Sequence, residues 1–167
     1  MKEHEMPDKS EIYKILEKDS RTKPQQISDM TGIPVTEVKN FIKKGEKNRS
    51  ILKYKAVINW QKVEDDQVWA LIEVNVQPQR KVGFDSIAER IYRFPQARSV
   101  YLVSGTYDLS VLVSGKTMHE VASFVSEKLA SLDGIKATVT HFLLKKYKED
   151  GEILEGGESV TRLPVTL

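Results

Sequence analysis

The 167-residue chain contains no cysteine, which excludes disulfide bridges and thiolate metal sites. It has only three histidines (His4, His119 and His141), far apart and in no ligand spacing such as HxxxH, and no clustered carboxylate pair accompanies them. There is no nucleophile elbow and no Gly-rich phosphate cradle either. No metal, no cofactor and no catalytic residue is therefore expected. No apolar run approaches the roughly 20 residues that span a bilayer. The opening MKEHEMPDKSE is polar, unlike a signal peptide, so the expected location is the cytoplasm, with no membrane partner. What remains is a chain with 40% hydrophobic and 30% charged residues, a composition suited to one globular domain or two small ones.

Net charge is only +2, but it is unevenly spread. Residues 1–60 carry 13 Lys/Arg against 9 Asp/Glu, and residues 61–167 carry 13 against 15. Between Thr36 and Lys55 stand seven basic residues (Lys39, Lys43, Lys44, Lys47, Arg49, Lys53 and Lys55) and two acids. A basic segment in a near-neutral chain points to a local anionic partner, although a solvated lysine-rich helix face has the same composition.

The first third reads as three helices. Ile12, Ile15 and Leu16 recur at helical spacing over about Lys9 to Lys18. Pro24 opens a short second helix that stops at Gly32, and Pro34 opens a third with Val38, Phe41 and Ile42 on one face. Helix, short helix, turn with Gly, helix is the helix-turn-helix pattern, and the third helix is also the basic one. ILKYKAVINW then alternates apolar and polar residues as a strand or wing leading out of the bundle. Trp60 and Trp69 flank the acidic QKVEDDQ linker and are expected to anchor the two domains.

The remainder has a regular rhythm. VWALIEVNV is a strand, and FDSIAERIYRF a helix ended by Pro95. VYLVSG and YDLSVLVSG are strands joined at Gly105-Thr106, and MHEVASFVSEKLASL is an amphipathic helix with Met118, Val121, Phe124, Val125 and Leu129 on one face. IKATVTHFLLKKYK is a last strand. The order βαββαβ defines a ferredoxin-like domain. The expected fold class is thus α+β: a helix-turn-helix, winged-helix-like domain with a strand linker over residues 1–60, a ferredoxin-like sensing and oligomerisation domain over 61–148, and a Gly- and Glu-rich, poorly ordered tail over 149–167.

On these residues the chain resembles the leucine-responsive regulatory protein and asparagine-regulator (Lrp/AsnC) transcription factors. The stretch FPQARSVYLVSGTYDLSVLVSGKTMHEVASFVSEKLASLDGIKATVTHFLLKKYK is similar almost end to end to that family's ligand-sensing domain, with its Gly-x-Tyr-Asp signature as Gly105-Thr106-Tyr107-Asp108. In the N-terminal half, Ile15-Leu16, Arg21, Ile27-Ser28, Gly32-Ile33, Val38, Ile42, Glu46, Ile51 and Tyr54 fit the family's DNA-binding frame. Four positions depart from it. Pro34 stands where a capping serine is usual, Phe41 where an arginine is, Gly45 where a core leucine is, and Arg49 where a turn glycine is. A helix-interior Gly costs about 1 kcal/mol against Ala, so the end of the third helix is expected to be loose. The resemblance spans residues 8–148. It implies a sequence-specific regulator that binds double-stranded DNA, pairs sheet to sheet into a homodimer, and assembles into an octamer or another ring. It also implies a small-molecule effector, of amino-acid type, near the Gly105 loop at the interface between dimers.

For DNA binding the candidates are Thr36, Glu37, Lys39, Asn40, Lys43, Lys44 and Lys47, with Arg49 and Lys53 as phosphate contacts. Asn is suited to adenine, and Lys to guanine or phosphate. For the effector they are Ser104, Gly105, Thr106, Tyr107, Asp108, Thr138 and Thr140. Backbone amides of a Gly loop can hold a carboxylate and Asp108 can take an ammonium, although a hairpin whose Asp satisfies its own turn amides would look the same. Thr138 and Thr140 alternate, so their hydroxyls share a face that could line the same cleft. His141 is expected to be a packed or interface residue. A rival reading keeps the sensor and drops the DNA: a metabolite-binding sensor or enzyme-regulatory subunit whose degraded DNA-binding domain serves protein interaction.

Overall fold

The computed structural model describes residues 10–63, 67–77 and 83–154. The acidic cluster Glu64–Asp66 and most of the connection between the VWALIEVNV strand and the FDSIAERIYRF helix lie outside the described residues. The chain divides into two compact units, residues 1–58 and 59–167.

In the first unit three helices form: α1 (Ser10–Lys18), α2 (Pro24–Thr31) and α3 (Val35–Lys47). Pro24 occupies the first turn of α2, where its missing N–H breaks no intrahelical bond. Gly32 ends that helix at φ 71°, its N–H donating to the Ser28 carbonyl at 2.8 Å. Ile12 and Leu16 from α1, Ile27 from α2, Ile33 from the turn and Val38 from α3 form one buried cluster, against which Ile15, Phe41, Ile42 and Ile51 pack. A three-helix core this small tolerates little loss, since truncating one such side chain to Ala costs about 2–5 kcal/mol.

The expected strand at the exit of this bundle does not form. Residues 52–59 belong to no ladder, and Leu52 (75% exposed), Tyr54, Val57 and Ile58 are open to solvent. The alternation is that of a half-buried strand, but a strand needs a neighbour, and the described chain supplies none. One bond ties this segment back: the Tyr54 hydroxyl donates to Glu46 Oε1 at 2.9 Å.

The second unit opens with a short 3₁₀ turn (Trp60–Lys62) and continues as β1 (Val68–Val76), α4 (Phe84–Tyr92), β2 (Ala97–Leu102), β3 (Leu109–Gly115), α5 (Met118–Ser123) and β4 (Ile135–Phe142). The sheet order is β2-β3-β1-β4 and every pairing is antiparallel, the ferredoxin-like topology. Alternation sorts its faces. Ala70, Ile72, Val74 and Val76 of β1 are buried together with Leu109, Val111 and Val113 of β3. Ile87 and Ile91 of α4 and Val121 of α5 are buried as well, and α4 packs on β2 while α5 packs on β3 and β1. The other face carries Trp69, Leu71, Glu73, Asn75, Leu112, Val139 and His141, and among the described residues no helix covers it.

Two expectations are corrected here. The helix expected over residues 118–132 is not α-helical throughout: after Ser123 it widens into a π-helical stretch (Phe124–Leu129), with Ala130 N–H reaching back to the Val125 carbonyl at 2.7 Å. The wider turn brings Phe124, Val125 and Leu129 onto the sheet, while Met118 stays 54% exposed rather than joining that face. The chain after residue 148 also does not begin as a disordered tail. β5 (Lys148–Glu149) and β6 (Glu152–Ile153) pair around Asp150-Gly151, both at positive φ. Leu154 is buried, and its carbonyl accepts from Asn59 Nδ2 at 2.7 Å. The Asp-Gly turn that fixes this hairpin is a strong local signal, masked in the sequence by the surrounding Gly and Glu. Residues 155–167 lie outside the described residues.

Candidate nucleic-acid interface and effector loop

The third helix presents a defined outer face. Pro34 takes its N-cap position (φ −54°, ψ 136°) and offers no side-chain cap, although its carbonyl still accepts from Val38 N–H at 3.0 Å. At about 100° per residue, Thr36, Asn40, Lys43 and Lys47 fall in one stripe opposite buried Val38 and Gly45. Lys39 flanks the stripe on one side, and Lys44 and Glu37 on the other. All seven are exposed, as are Arg49 and Lys53. Glu37 in the first turn and Lys44 and Lys47 in the last also match the helix dipole.

The end of this helix is not loose. Gly45 is buried, and a Cβ there would stand 2.9 Å from the Tyr13 hydroxyl and 3.2 Å from Ile51 Cδ1, so the glycine makes room for close packing. Tyr13 in turn lies 4.9 Å, ring to ring, from Phe41. Ile51 N–H donates to the Gly45 carbonyl at 3.0 Å, and Arg49 closes the turn at φ 63°, the conformation for which glycine would be usual.

The second candidate is the β2–β3 connection. Gly105 sits at φ 153°, a backbone that side-chain-bearing residues rarely adopt. Among the described residues, the N–H groups of Ser104, Gly105, Thr106 and Tyr107 donate to nothing, whereas those of Val103 and Asp108 are both paired. Ser104, Gly105 and Thr106 are exposed, and Tyr107 and Asp108 half-buried. The Asp108 carboxylate does not bond its own turn amides. Its Oδ2 accepts from Val76 N–H at 2.7 Å, its N–H donates to Val74 at 3.1 Å, and its carbonyl accepts from Val103 at 2.9 Å. Asp108 thus fastens the loop to the end of β1, where the pairing with β4 shifts register between Asn75 and Val76. Residue type could not have revealed this partner, which lies 32 positions away.

Thr138 and Thr140 do share a face, opposite Val74 and Ile72 on the helix-covered side. They stand on edge strand β4, and β1 separates them from β3 and its loop, two strand spacings or about 10 Å away. Trp69 belongs to the open sheet face, with Lys146 Nζ 3.8 Å and the Arg98 guanidinium 5.9 Å from its ring. A register shift between Ala97 and Ser99 turns Arg98 to that face, where Nε donates to Ser114 Oγ at 2.7 Å. His141 lies on the same face, its Nε2 3.2 Å from Glu73 Oε1. Among the described residues no group of three potential metal ligands converges, and no helix is long and apolar enough to cross a membrane.

A helical unit with an exposed basic helix face, joined to a ferredoxin-like unit, defines a two-part regulator. Residues 69–153 match the model of the Lrp/AsnC ligand-binding domain, and the chain belongs to this family. It is 51% identical over 158 residues to the uncharacterized HTH-type transcriptional regulator YugG of Bacillus subtilis, covering 94% of this chain and 95% of that one. A transcriptional regulator of Neisseria meningitidis, solved in complex with L-Met, superposes with TM-score 0.67 at 20% identity, covering 86% of this chain and 94% of that one. AsnC of E. coli superposes with TM-score 0.63 at 15% identity, over 83% and 91% of the two chains. The protein is accordingly a helix-turn-helix transcription regulator with an α+β fold, of a family of DNA-binding regulators rather than enzymes.

Proposed function

We propose that the chain is a cytoplasmic, homodimeric Lrp/AsnC regulator that reads double-stranded DNA with the outer face of α3 and responds to an amino acid held at the Ser104–Asp108 loop. The observation that carries the DNA reading is the stripe Thr36, Asn40, Lys43 and Lys47, exposed on the side of α3 opposite its core. Lys and Asn side chains on such a stripe can reach phosphates and base edges in the major groove. Two copies of α3 related by a two-fold axis would meet successive grooves of a pseudo-palindromic site.

The effector reading rests on the four loop amides, which can take a carboxylate, beside a carboxylate of which one oxygen is engaged. The L-Met complex of the N. meningitidis regulator supports that chemical class. Thr138 and Thr140 would then act from a second part of the site rather than from the loop itself. The open sheet face, with Tyr101 and Val139 exposed and Leu71 and Leu112 half-buried, supports pairing with a second copy, and dimers would join into rings such as an octamer.

The test is a mobility-shift titration on genomic fragments over a series of salt concentrations, repeated with a panel of amino acids. Binding whose logarithm falls steeply and linearly with log salt, and which one amino acid shifts, is the expected result. Salt-insensitive or absent binding would leave a metabolite sensor without a DNA role.

A further inference from the structure

We propose that self-association across the open sheet face is coupled to proton uptake by the Glu73–His141 pair, so that the assembly tightens as pH falls. This rests on the sheet-to-sheet reading given above. Glu73, on β1, is the one carboxylate that the four strands place on this face among the described residues. His141, on β4, lies diagonally beside it with Nε2 3.2 Å from Oε1. Both are partly desolvated already, with side chains 29% and 51% exposed, and a second sheet laid over them would complete the burial.

Other charges facing the pair are few. β3 contributes Ser110, Leu112 and Ser114, which carry none. β2 contributes the Tyr101 phenol and Arg98, the latter held by Ser114 four residues along from the Glu73 register, about 13 Å away. Beyond β4, Lys146 lies over Trp69 and pairs with Glu149 at 3.2 Å. The exposed Lys136 lies near the other end of β4.

The sign follows from what is buried. With His141 neutral, the pair carries one negative charge, and a two-fold interface encloses two of them. With His141 protonated, each pair is net neutral and the interface encloses two ion pairs. Burying an uncompensated carboxylate costs far more than burying a bonded pair. The dimer therefore binds more protons than two separated protomers, and association strengthens as pH falls.

The experiment measures the dissociation constant of the full chain, by fluorescence anisotropy of a labelled protomer diluted into unlabelled protein, from about pH 8 to about pH 6. Wild type should bind about tenfold or more tightly at the acidic end, since up to one proton per protomer is linked to association. His141→Gln should be pH-independent and as weak as wild type at the alkaline end. Glu73→Gln, lacking the buried carboxylate, should bind more tightly than wild type at the alkaline end and lose the acid-side tightening, because a protonated His141 would then be the uncompensated buried charge. A double variant His4→Gln/His119→Gln should keep the wild-type profile, which separates this pair from the other two histidines. A wild-type dimer with no pH dependence, or one that weakens on acidification, overturns the coupling and leaves the sheet-to-sheet reading standing. Weaker association of Glu73→Gln at every pH overturns it too, because a cation of the second copy would then be neutralising Glu73. A chain that stays monomeric throughout overturns both.

Discussion

Replacing Asp108 by alanine removes the acceptor that Oδ2 presents to the Val76 amide at 2.7 Å, in a part-buried position between the end of β1 and the β2–β3 loop. The orphaned N–H loses a charge-assisted bond and gains no full access to water, a loss of about 1–3 kcal/mol. In a unit of this size each kcal/mol moves the melting temperature by about 4–8 °C, so the variant should melt roughly 4–24 °C below wild type. Asp108→Asn keeps an oxygen in place without its charge and should lose about half as much. The assay is calorimetry on the full chain without ligand, following the transition of the sensor unit. Asp108→Ala melting within a degree or two of wild type would refute the fastening role. The same samples, scanned with the cognate amino acid, read the second role. If the remaining oxygen takes the effector ammonium, Asp108→Asn should bind about 10- to 150-fold more weakly, and its ligand-induced shift should vanish at concentrations that saturate wild type. A lowered baseline with an intact shift would remove Asp108 from the effector site while keeping it as the strut of the loop.

Three further outcomes follow from the first unit. Lys43→Ala/Lys44→Ala should weaken binding to all duplexes and flatten the salt slope by about one unit for each phosphate no longer neutralised, and an unchanged slope and affinity would move the DNA surface away from α3. Gly45→Ala gains about 1 kcal/mol of helix propensity but drives a methyl group against Tyr13 and Ile51, where overpacking costs about 1–3 kcal/mol, so denaturant titration should show a net loss. Adding Tyr13→Phe, which withdraws the hydroxyl 2.9 Å from that methyl, should recover stability. Tyr54 has its phenol pushed above the usual value by partial burial, and then by its bond to Glu46 and that carboxylate's charge. A raised value means the protonated form is favoured on folding, so the stabilisation is complete below about pH 10 and fades as pH rises past it. The advantage of wild type over Tyr54→Phe in chemical denaturation should therefore narrow at alkaline pH, and a constant difference would contradict the bond.

Most of the architecture is carried by local signals, which is why it is readable along the chain. The stops at Gly32 and Pro95 and the strand alternation of the second unit each act within a few residues, and those elements form where the signals stand. The disagreements are of another kind. Residues 52–59 have the pattern of a strand but lack a pairing neighbour in the described chain, and pairing is not a local property. Residues 148–153 carry a turn signal strong enough to override a composition that suggested disorder. Asp108 is recognisable as a loop residue, yet its carboxylate is directed at an amide on another strand, and nothing near residue 108 announces residue 76.

The same limit explains the departures of the third helix from the family frame. Taken singly, Phe41 and Gly45 look like damage: a bulky ring beside the core and a void inside a helix. In three dimensions they account for each other through a residue on α1. The missing side chain at Gly45 is the space into which Tyr13 packs, and the Tyr13 ring lies 4.9 Å from that of Phe41. Both changes fall on the supporting side of α3. The stripe opposite it, Thr36, Asn40, Lys43 and Lys47, is exposed. A domain decaying from disuse would show losses uncorrelated with facing, and cavities left unfilled in so small a core would be costly. Phe41, Gly45 and Tyr13 thus fill one another's space on the inner side of α3, a packing that holds the helix rigid behind its exposed stripe and weighs toward a working reading helix over a degraded remnant.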